Sequence, residues 1–228
     1  ATQICGFYQR GVTAKYQENR TRTSLAGADP EIFSIRSIAA ESGRLFTVLD
    51  QRSMARVAVV GPTVVTNIFG GSDPVGRTLE VNKVLFKVIG VASARGQDLS
   101  GNDQDDIVYV PLSTAMDRVF HVDFLQSILV QATDERAMAE LPEEITPILR
   151  KSHRLNPGAD DDFTIQDEAQ IMRSQQDTSQ AFTVLVGSVA GGSLFTGGIG
   201  ILAVMLISIR ERTREIGLRR ALGGRKRD

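Results

Sequence analysis

The sequence predicts an α+β domain outside the cytoplasm, followed by a helical stalk and a single transmembrane helix. Short apolar segments separated by turn residues fill most of the chain before residue 167 and are typical of strands and short helices. A run of 29 residues without a charged side chain follows, from Ala181 to Ile209. A cluster of arginines then begins at Arg210. These three observations divide the 228-residue chain into a globular part, a membrane span and a basic tail.

The predicted elements of the globular part alternate between strands and helices. Residues 10–17 and 21–28 alternate in polarity around a polar turn at 18–20 and predict a hairpin. Gly61-Pro62 ends a buried strand over 55–60, and Gly70-Gly71 ends a short helix over 63–69. The remaining predictions are a hairpin of 78–81 and 84–91 around Asn82-Lys83, a strand over 107–110, a helix capped by Ser113 that runs to Phe120, a strand over 127–132, a helical stretch towards His153 and a short strand over 163–166.

Composition and charge exclude several classes of protein. Hydrophobic residues make up 42% and charged residues 23% of the chain, which is typical of a folded protein and not of a disordered one. The net charge of −1 argues against nucleic acid as a partner. Cys5 has no second cysteine with which to form an internal disulfide, and His121 and His153 stand alone, so no zinc site is predicted.

No catalytic residues and no metal ligands are predicted. Neither histidine has a serine or cysteine partner at a recognisable spacing, so a catalytic triad has no support. The sequence has no G-x-x-x-x-G-K-[ST] phosphate loop, so we expect no ATP hydrolysis by this segment and no cofactor bound to it. The acidic clusters at 103–106 and 160–162 lack the spacing of a calcium loop, and solvated loop acids are favoured over calcium ligands.

The uncharged run is long enough to cross a bilayer, which needs about 20 helical residues. A buried helix of a large soluble protein is the alternative, but such helices are usually shorter and rarely lack charge for so long. From Arg210 onward the chain has eight basic and three acidic residues, which leaves 18 basic and 24 acidic residues before it. By the positive-inside rule, residues 210–228 lie in the cytoplasm and residues 1–180 lie outside.

Two further features of the helix follow from its sequence. Asp167 is a candidate N-cap, and the polar stretch that follows it predicts a helical stalk over 167–180 that continues into the span at 181–209. Small residues within the span, Gly187, Gly191, Gly192 and Gly197, predict a face for close packing on other transmembrane helices. The alternative is that glycine is simply common in such helices.

The C-terminal residues GGIGILAVMLISIRERTREIGLRRALGGRKRD (197–228) resemble the second transmembrane helix and the following cytoplasmic segment of FtsX-like permeases of ABC transporters. More narrowly, they are similar to the MacB-type permeases. The blocks before the span agree in order and spacing, and the resemblance extends from about Val12 onward. These blocks are GRLFTVLD (43–50), ARVAVVG (55–61), FGGSDPVGRTLEV (69–81), FKVIGV (86–91), DQDDIVYVPLSTA (103–115) and DDF (161–163).

The resemblance implies a periplasmic core domain over 1–166. In this family such a domain contains a βαβ-type porter subdomain, which would correspond to residues 1–43 and 121–166. A β-rich Sabre-like subdomain at 44–120 would be inserted into it. Such permeases have four transmembrane helices, so this chain resembles an excised segment. Pro142 and Pro147 depart from the family, which has an uninterrupted helix there, and predict that this helix starts late, kinks or splits. Ala203 stands where the family usually has Asn.

The resemblance also implies a function, which is mechanotransmission in the inner membrane. An ABC ATPase, fused or separate, would use ATP and Mg²⁺ and move the helix ends, and the stalk would carry this motion to the periplasmic domain for export or release of substrate. The implied partners are that ATPase, a second permease chain, membrane lipid, a periplasmic adaptor protein and an outer-membrane channel. The alternative is a bitopic receptor whose outer domain binds a ligand, and an extracytoplasmic enzyme is remote because no catalytic residues are found.

The segment after the span is the predicted contact with the ATPase, since it lies within reach of a cytoplasmic subunit. Arg210/Arg214 and Glu211/Glu215 are spaced i,i+4, and Gly223-Gly224 is predicted to end the helix. The alternative is a basic stop-transfer tail held by anionic lipid. The predicted coupling residues, which include three apolar anchors, are Glu211, Arg212, Arg214, Glu215, Ile216, Gly217, Leu218, Arg219 and Leu222.

Overall fold

The computed structural model describes residues 3–98, 101–132 and 134–222 of the chain. By internal contacts it divides into two units, Ala1–Leu155 and Asn156–Asp228. The first unit contains all the strands and five of the helices, and the second contains one long helix.

The strands and helices of the described residues follow one another in this order: β1 (Gln3–Tyr16), β2 (Asn19–Ala28), α1 (Glu31–Ile35), β3 (Ala40–Gly43), α2 (Val48–Arg52), β4 (Val57–Val60), α3 (Pro62–Phe69), β5 (Thr78–Val81), β6 (Val84–Ala92), β7 (Ile107–Pro111), α4 (Leu112–Thr114), β8 (Ser127–Gln131), α5 (Glu135–Ser152) and α6 (Glu168–Ala221). A π-helical segment, Ala115–Phe120, continues directly from α4. The α+β class predicted from the sequence is confirmed.

Six of the strands close into a barrel. Around the ring, β1 pairs with β2, β2 with β7, β7 with β4, β4 with β6, β6 with β5, and β5 with β1 again. The β2–β7 and β4–β6 pairs are parallel and the others are antiparallel. Strand β8 pairs with the first residues of β1, and β3 pairs with the last residues of β6. Ring closure leaves little exposed edge on the six central strands.

The barrel wall separates two apolar cores. The first core lies inside the barrel, where residues from all six strands pack against Val64, Ile68 and Phe69 of α3. The opposite face of the wall packs against Ile32 and Phe33 of α1. Because consecutive residues of a strand point to opposite faces, a strand covered on both sides is apolar throughout. This explains the unbroken apolar runs over 57–60 and 107–110, where alternate residues belong to the two cores.

Several local predictions are confirmed. The first hairpin is present, with its turn at Gln17-Glu18 and with β1 beginning earlier than predicted, at Gln3. The second hairpin turns at Asn82 and Lys83, which both have positive φ angles (47° and 71°), as two-residue hairpin turns require. Helix α3 ends at Gly70, whose left-handed φ of 61° terminates the helix as predicted.

The predicted cap at Ser113 is wrong. Helix α4 begins at Leu112, directly after Pro111, so Ser113 lies inside it. The Ser113 hydroxyl donates a hydrogen bond to the backbone carbonyl of Gln51 in α2 at 2.8 Å. The Ser113 side chain therefore binds a residue 62 positions away in sequence and does not form the helix cap that the local pattern predicts.

The predicted strand over 163–166 is also wrong, because this segment has no regular secondary structure. A strand requires a neighbouring strand, and four residues with Ile165 left 39% exposed bury too little apolar surface to hold one. Three short elements, α1, β3 and α2, were not predicted. Each has only four or five residues, too few for a periodic pattern.

The helix that contains Pro142 and Pro147 neither starts late nor splits, so two of the three predicted outcomes are wrong, and a kink at the prolines stays a prediction. Helix α5 begins at Glu135, where Asp134 caps it by accepting a hydrogen bond from the N–H of Ala137 at 2.8 Å, and it continues to Ser152. Each proline removes one backbone donor, but a carbonyl left free on an exposed helix can bind water.

Strands from both predicted subdomains build the barrel. β1 and β2 come from the predicted porter segments, and β4 to β7 come from the predicted Sabre-like insert. The division at residues 44 and 120 stays a prediction, as does the boundary at 166.

Candidate functional site

Helix α6 contains the predicted stalk, membrane span and coupling segment in one unbroken helix of 54 residues, Glu168–Ala221. At a rise of about 1.5 Å per residue it extends for about 80 Å. No proline occurs after Pro157, so no residue in this helix lacks its backbone donor. Asp167 immediately precedes the helix, at the position predicted for its N-cap.

The middle of α6 is apolar on every side. Within the candidate span, Gln176–Ala221, the most apolar 18 residues have a mean hydropathy of 2.0, and none of this stretch is buried against any other part of the chain. Leu194 is 80% exposed and Phe195 72% exposed. A helix with no polar face is typical of a membrane span, and the segment exceeds the length that a bilayer needs.

Hydroxyl groups within the span donate to the helix itself. Thr183, Ser193 and Thr196 each donate to the carbonyl four residues earlier, at 2.9–3.0 Å. Ser188 donates to the carbonyl of Leu185 at 2.8 Å. A hydroxyl in hydrocarbon must have a partner, and these four find one without a second helix or water.

The four predicted packing glycines all lie in the span. An added Cβ at Gly187, Gly191, Gly192 or Gly197 would meet no atom within 4 Å. Gly187 and Gly191 are one helical turn apart and share a face, as the G-x-x-x-G spacing requires. Packing of this face on other helices stays a prediction.

The predicted coupling residues form the last turns of α6. The helix is assigned to Ala221, and the N–H of Leu222 still donates to the carbonyl of Leu218 at 3.1 Å. The predicted end at Gly223-Gly224 lies outside the described residues. Glu215 and Arg219 form an i,i+4 ion pair at 2.7 Å with both side chains more than half exposed, so it adds little stability.

The helix places these residues on two different sides. At about 100° per residue, Glu211, Glu215, Leu218 and Leu222 fall within about 60° of one another around the axis. We call these four residues the acid–leucine face. Ile216 lies about 100° or more from each of them, so the three predicted apolar anchors do not share one surface. All three anchors are exposed.

The acidic loop at 103–106 has a structural role that the sequence did not indicate. Asp105, 9% exposed, accepts hydrogen bonds from the backbone N–H groups of Arg95 and Gly96 at 2.8 and 3.0 Å. Asp103 accepts from the Thr63 hydroxyl at 2.7 Å. The prediction of a solvated acid is therefore wrong for Asp105. The described residues contain no group of three side chains placed to hold a metal ion.

The half-buried carboxyl of Asp29 follows β2 and was also missed. It accepts a hydrogen bond from the N–H of Gly6 at 2.8 Å. Burial raises the pKa of Asp29, with Glu31 adding to the rise, while the bond from Gly6 opposes it. Burial likewise raises the pKa of the neighbouring Cys5 thiol to about 11, so this thiol is not poised for chemistry.

Comparison with known proteins agrees with this architecture. Residues 2–148 match the MacB-like periplasmic core domain. A macrolide export ATP-binding/permease protein MacB of Chlorobium luteolum is 42% identical over 206 residues, which cover 90% of this chain and 31% of that protein. The protein of the same name from Wolinella succinogenes is 37% identical over 219 residues, covering 96% of this chain and 33% of the relative. The chain thus spans about a third of the length of these relatives.

Two solved structures have a fold similar to that of this chain. The periplasmic region of MacB from Actinobacillus actinomycetemcomitans matches with a TM-score of 0.62 and 21% identity, covering 77% of this chain and 76% of that one. The extracellular domain of a noncanonic ABC-type transporter, YknZ, from Gram-positive bacteria matches with a TM-score of 0.60 and 21% identity, covering 68% of this chain and 78% of that one.

A periplasmic core domain followed by a helix that can span the bilayer fits an inner-membrane protein with a periplasmic segment. The match to the family extends over well more than half of the chain, and the relatives extend it through the membrane helix. The chain belongs to the family of MacB-like periplasmic core domains.

Proposed function

We propose that this chain is the segment of a MacB-type ABC transporter permease that carries ATP-driven motion from a cytoplasmic ATPase to the periplasmic domain. The observation that supports this proposal is the continuity of α6 from Glu168 to Ala221. A single helix without proline or a break transmits a displacement at one end to the other, whereas a hinge would absorb it. ATP hydrolysis itself belongs to an ATPase domain, fused or separate.

The contact with the ATPase lies, in this proposal, on the acid–leucine face. Leu218 and Leu222 are 63% and 82% exposed, and two carboxylates lie beside them on the same face. Exposed leucines beside charged groups are suited to an apolar groove with a basic rim. Arginines on the other sides of the helix can meet anionic lipid, so the stop-transfer role and the coupling role use different surfaces.

A charge-matched pair of variants in the full-length permease tests this proposal. Leu218→Asp with Leu222→Asp removes the apolar part of the acid–leucine face. Thr213→Asp with Ile216→Asp adds the same charge on the opposite side. We expect normal membrane insertion for both double variants, and loss of transport and of substrate-stimulated ATPase activity for the first alone. Macrolides are the first substrates to test, because the relatives are named for macrolide export.

Equal transport by the two double variants would contradict a coupling role for this face. A bitopic receptor would show no dependence of ATPase activity on either variant. The remaining proposed partners are a second permease chain that packs on Gly187 and Gly191, a periplasmic adaptor protein and an outer-membrane channel. Introducing Leu at both glycines should weaken cross-linking between two permease chains if that face is the dimer contact.

A further inference from the structure

The outer wall of the barrel carries a cluster of basic side chains. In the β1–β2 ladder, Lys15 lies opposite Arg20 and Thr13 lies opposite Arg22. Directly opposite residues on neighbouring strands share a face, so these cations point to the same side of the sheet. The same side of the sheet continues across β5 to β6. Lys15 lies opposite Glu80 of β5, and Lys87 of β6 lies opposite Thr78, two residues from Glu80. We call Lys15, Arg20, Arg22 and Lys87 the basic face.

The fold makes no use of these charges. All four side chains are exposed, and within the described part of the chain none of them forms an ion pair. Glu80, opposite Lys15, is the one acid on the intervening strand β5 that shares their side. Two cations directly opposite each other on neighbouring strands repel, so the Lys15–Arg20 pair costs the fold stability. Residues before Arg210 carry an excess of acids, which makes a basic cluster here more notable still.

The surroundings of the basic face indicate the kind of partner. The face lies on a wall of four strands, and its four cations are spread over three of them, β2, β1 and β6, which suits an extended partner surface. Leu85, opposite Glu80, is 55% exposed and is the large apolar side chain on this wall. Binding of a membrane through this face would depend on charge alone, because Leu85 is the one large exposed apolar side chain that this wall offers, among the described residues, for insertion into lipid. Arginine binds carboxylates in a planar, two-bonded geometry.

We propose that the basic face docks an acidic surface of a second protein in the periplasm. Carboxylates of the partner meet Lys15, Arg20, Arg22 and Lys87, and Leu85 provides an apolar contact at the edge. This interaction is separate from the cytoplasmic coupling contact, and it holds or fails independently of that proposal.

The test uses the whole chain in nanodiscs of neutral lipid. The probe is a fluorescein-labelled peptide rich in glutamate with interspersed leucines, and its binding is measured by fluorescence anisotropy at low salt. We expect Lys15→Glu with Arg20→Glu and Arg22→Glu to weaken peptide binding by at least about tenfold. The matched control, Arg52→Glu with Arg95→Glu and Lys151→Glu, makes the same change in net charge at scattered exposed sites and should change binding by less than about threefold.

A neutral variant guards against misfolding of the reversed one. Lys15→Gln with Arg20→Gln and Arg22→Gln should also lose peptide binding while it unfolds at the same temperature as the unaltered chain. Equal weakening by the scattered control would overturn the proposal, because it would show that net charge alone governs binding. So would the absence of peptide binding by the unaltered chain, or binding through this face to phosphatidylglycerol vesicles but not to the peptide.

Discussion

Asp29 accepts a hydrogen bond from the side-chain amide of Gln51 at 2.9 Å, which joins the end of β2 to helix α2. The other carboxyl oxygen accepts from the N–H of Gly6 in β1, and the backbone carbonyl of Gln51 accepts from the Ser113 hydroxyl. One carboxyl group thus connects Gly6 and Gln51, which are 45 residues apart in sequence. It ties α2 to β1 and to the end of β2.

Replacing Asp29 should therefore depend strongly on the substituent. Asp29→Ala leaves the donors of Gly6 and Gln51 without an acceptor, and should lower the free energy of unfolding by about 1–3 kcal/mol. Asp29→Asn keeps one acceptor oxygen. Its amide can also donate to the Gln51 side-chain oxygen, which is buried and has no partner within the described residues. We expect the Asn variant to stay close to the unaltered chain in a urea titration, and equal losses for both variants would contradict this account.

Titration of the Asp29 carboxyl should lower the free energy of unfolding as the pH rises. The folded state raises the pKa of Asp29, so the folded chain binds a proton more tightly than the unfolded chain does. This contribution is present below the unfolded pKa near 3.8 and is lost as the pH rises through the folded value. The Asn variant lacks this group, so its stability relative to the unaltered chain should increase from acidic to neutral pH. A constant difference across this range would argue against a titrating Asp29.

Asp50 should show the opposite dependence on pH. Arg44 donates two hydrogen bonds to Asp50, at 2.8 and 3.1 Å, and the N–H and hydroxyl of Thr47 also donate to it. These contacts, with the Arg44 bond as the largest cause, lower the pKa of Asp50 to about 2. Its stabilisation is complete above the unfolded pKa near 3.8 and is lost as the pH falls towards 2.

Asp50→Ala should accordingly cost about 1–2 kcal/mol at neutral pH, because it removes the ion pair together with the N3 half of the capping box at Thr47. The difference from the unaltered chain should shrink as the pH falls from about 4 to 2. Thermal unfolding followed by circular dichroism over this range measures it. A difference that does not shrink on acidification would contradict the low pKa.

These carboxylates illustrate what sequence can and cannot reveal. The turn at Asn82-Lys83, helix α3 and the continuous helix α6 depend on adjacent residues, and all were predictable. Barrel closure depends on Ala14 lying opposite Val81, 67 residues later, and no local pattern encodes that pairing. The roles of Asp29 and Asp105 likewise come from donors on other segments. The acid–leucine face was within reach of a helical projection, but its composition did not distinguish it from a generic basic tail.

Gly27 should tolerate substitution far less than Gly11, although both lie in the first hairpin. A Cβ at Gly27 would collide with the Cβ of Ala115 at the start of the π-helical segment, so the chain must shift. A Cβ at Gly11 would meet nothing closer than the Arg22 side chain at 3.7 Å. We expect Gly27→Ala to cost about 1–3 kcal/mol and Gly11→Ala to be nearly neutral. Urea unfolding of both variants measures the difference, and similar stabilities would show that the π-helical segment can move aside.

The predicted topology can be tested by labelling, and the structure supplies suitable positions. Glu18 lies in the exposed turn of the first hairpin, and Arg219 lies beyond the span on an exposed side of α6. In intact spheroplasts, a membrane-impermeant maleimide should label Glu18→Cys and should reach Arg219→Cys only after lysis. Cys5 adds little background, because it is fully buried and its pKa of about 11 keeps it in the unreactive thiol form. Labelling of Arg219→Cys but not Glu18→Cys in intact spheroplasts would reverse the orientation.

Because the uncharged run and the arginines that follow it set the orientation, replacing Arg210, Arg212 and Arg214 with Gln should raise the share of inverted molecules without changing the fold of the periplasmic domain.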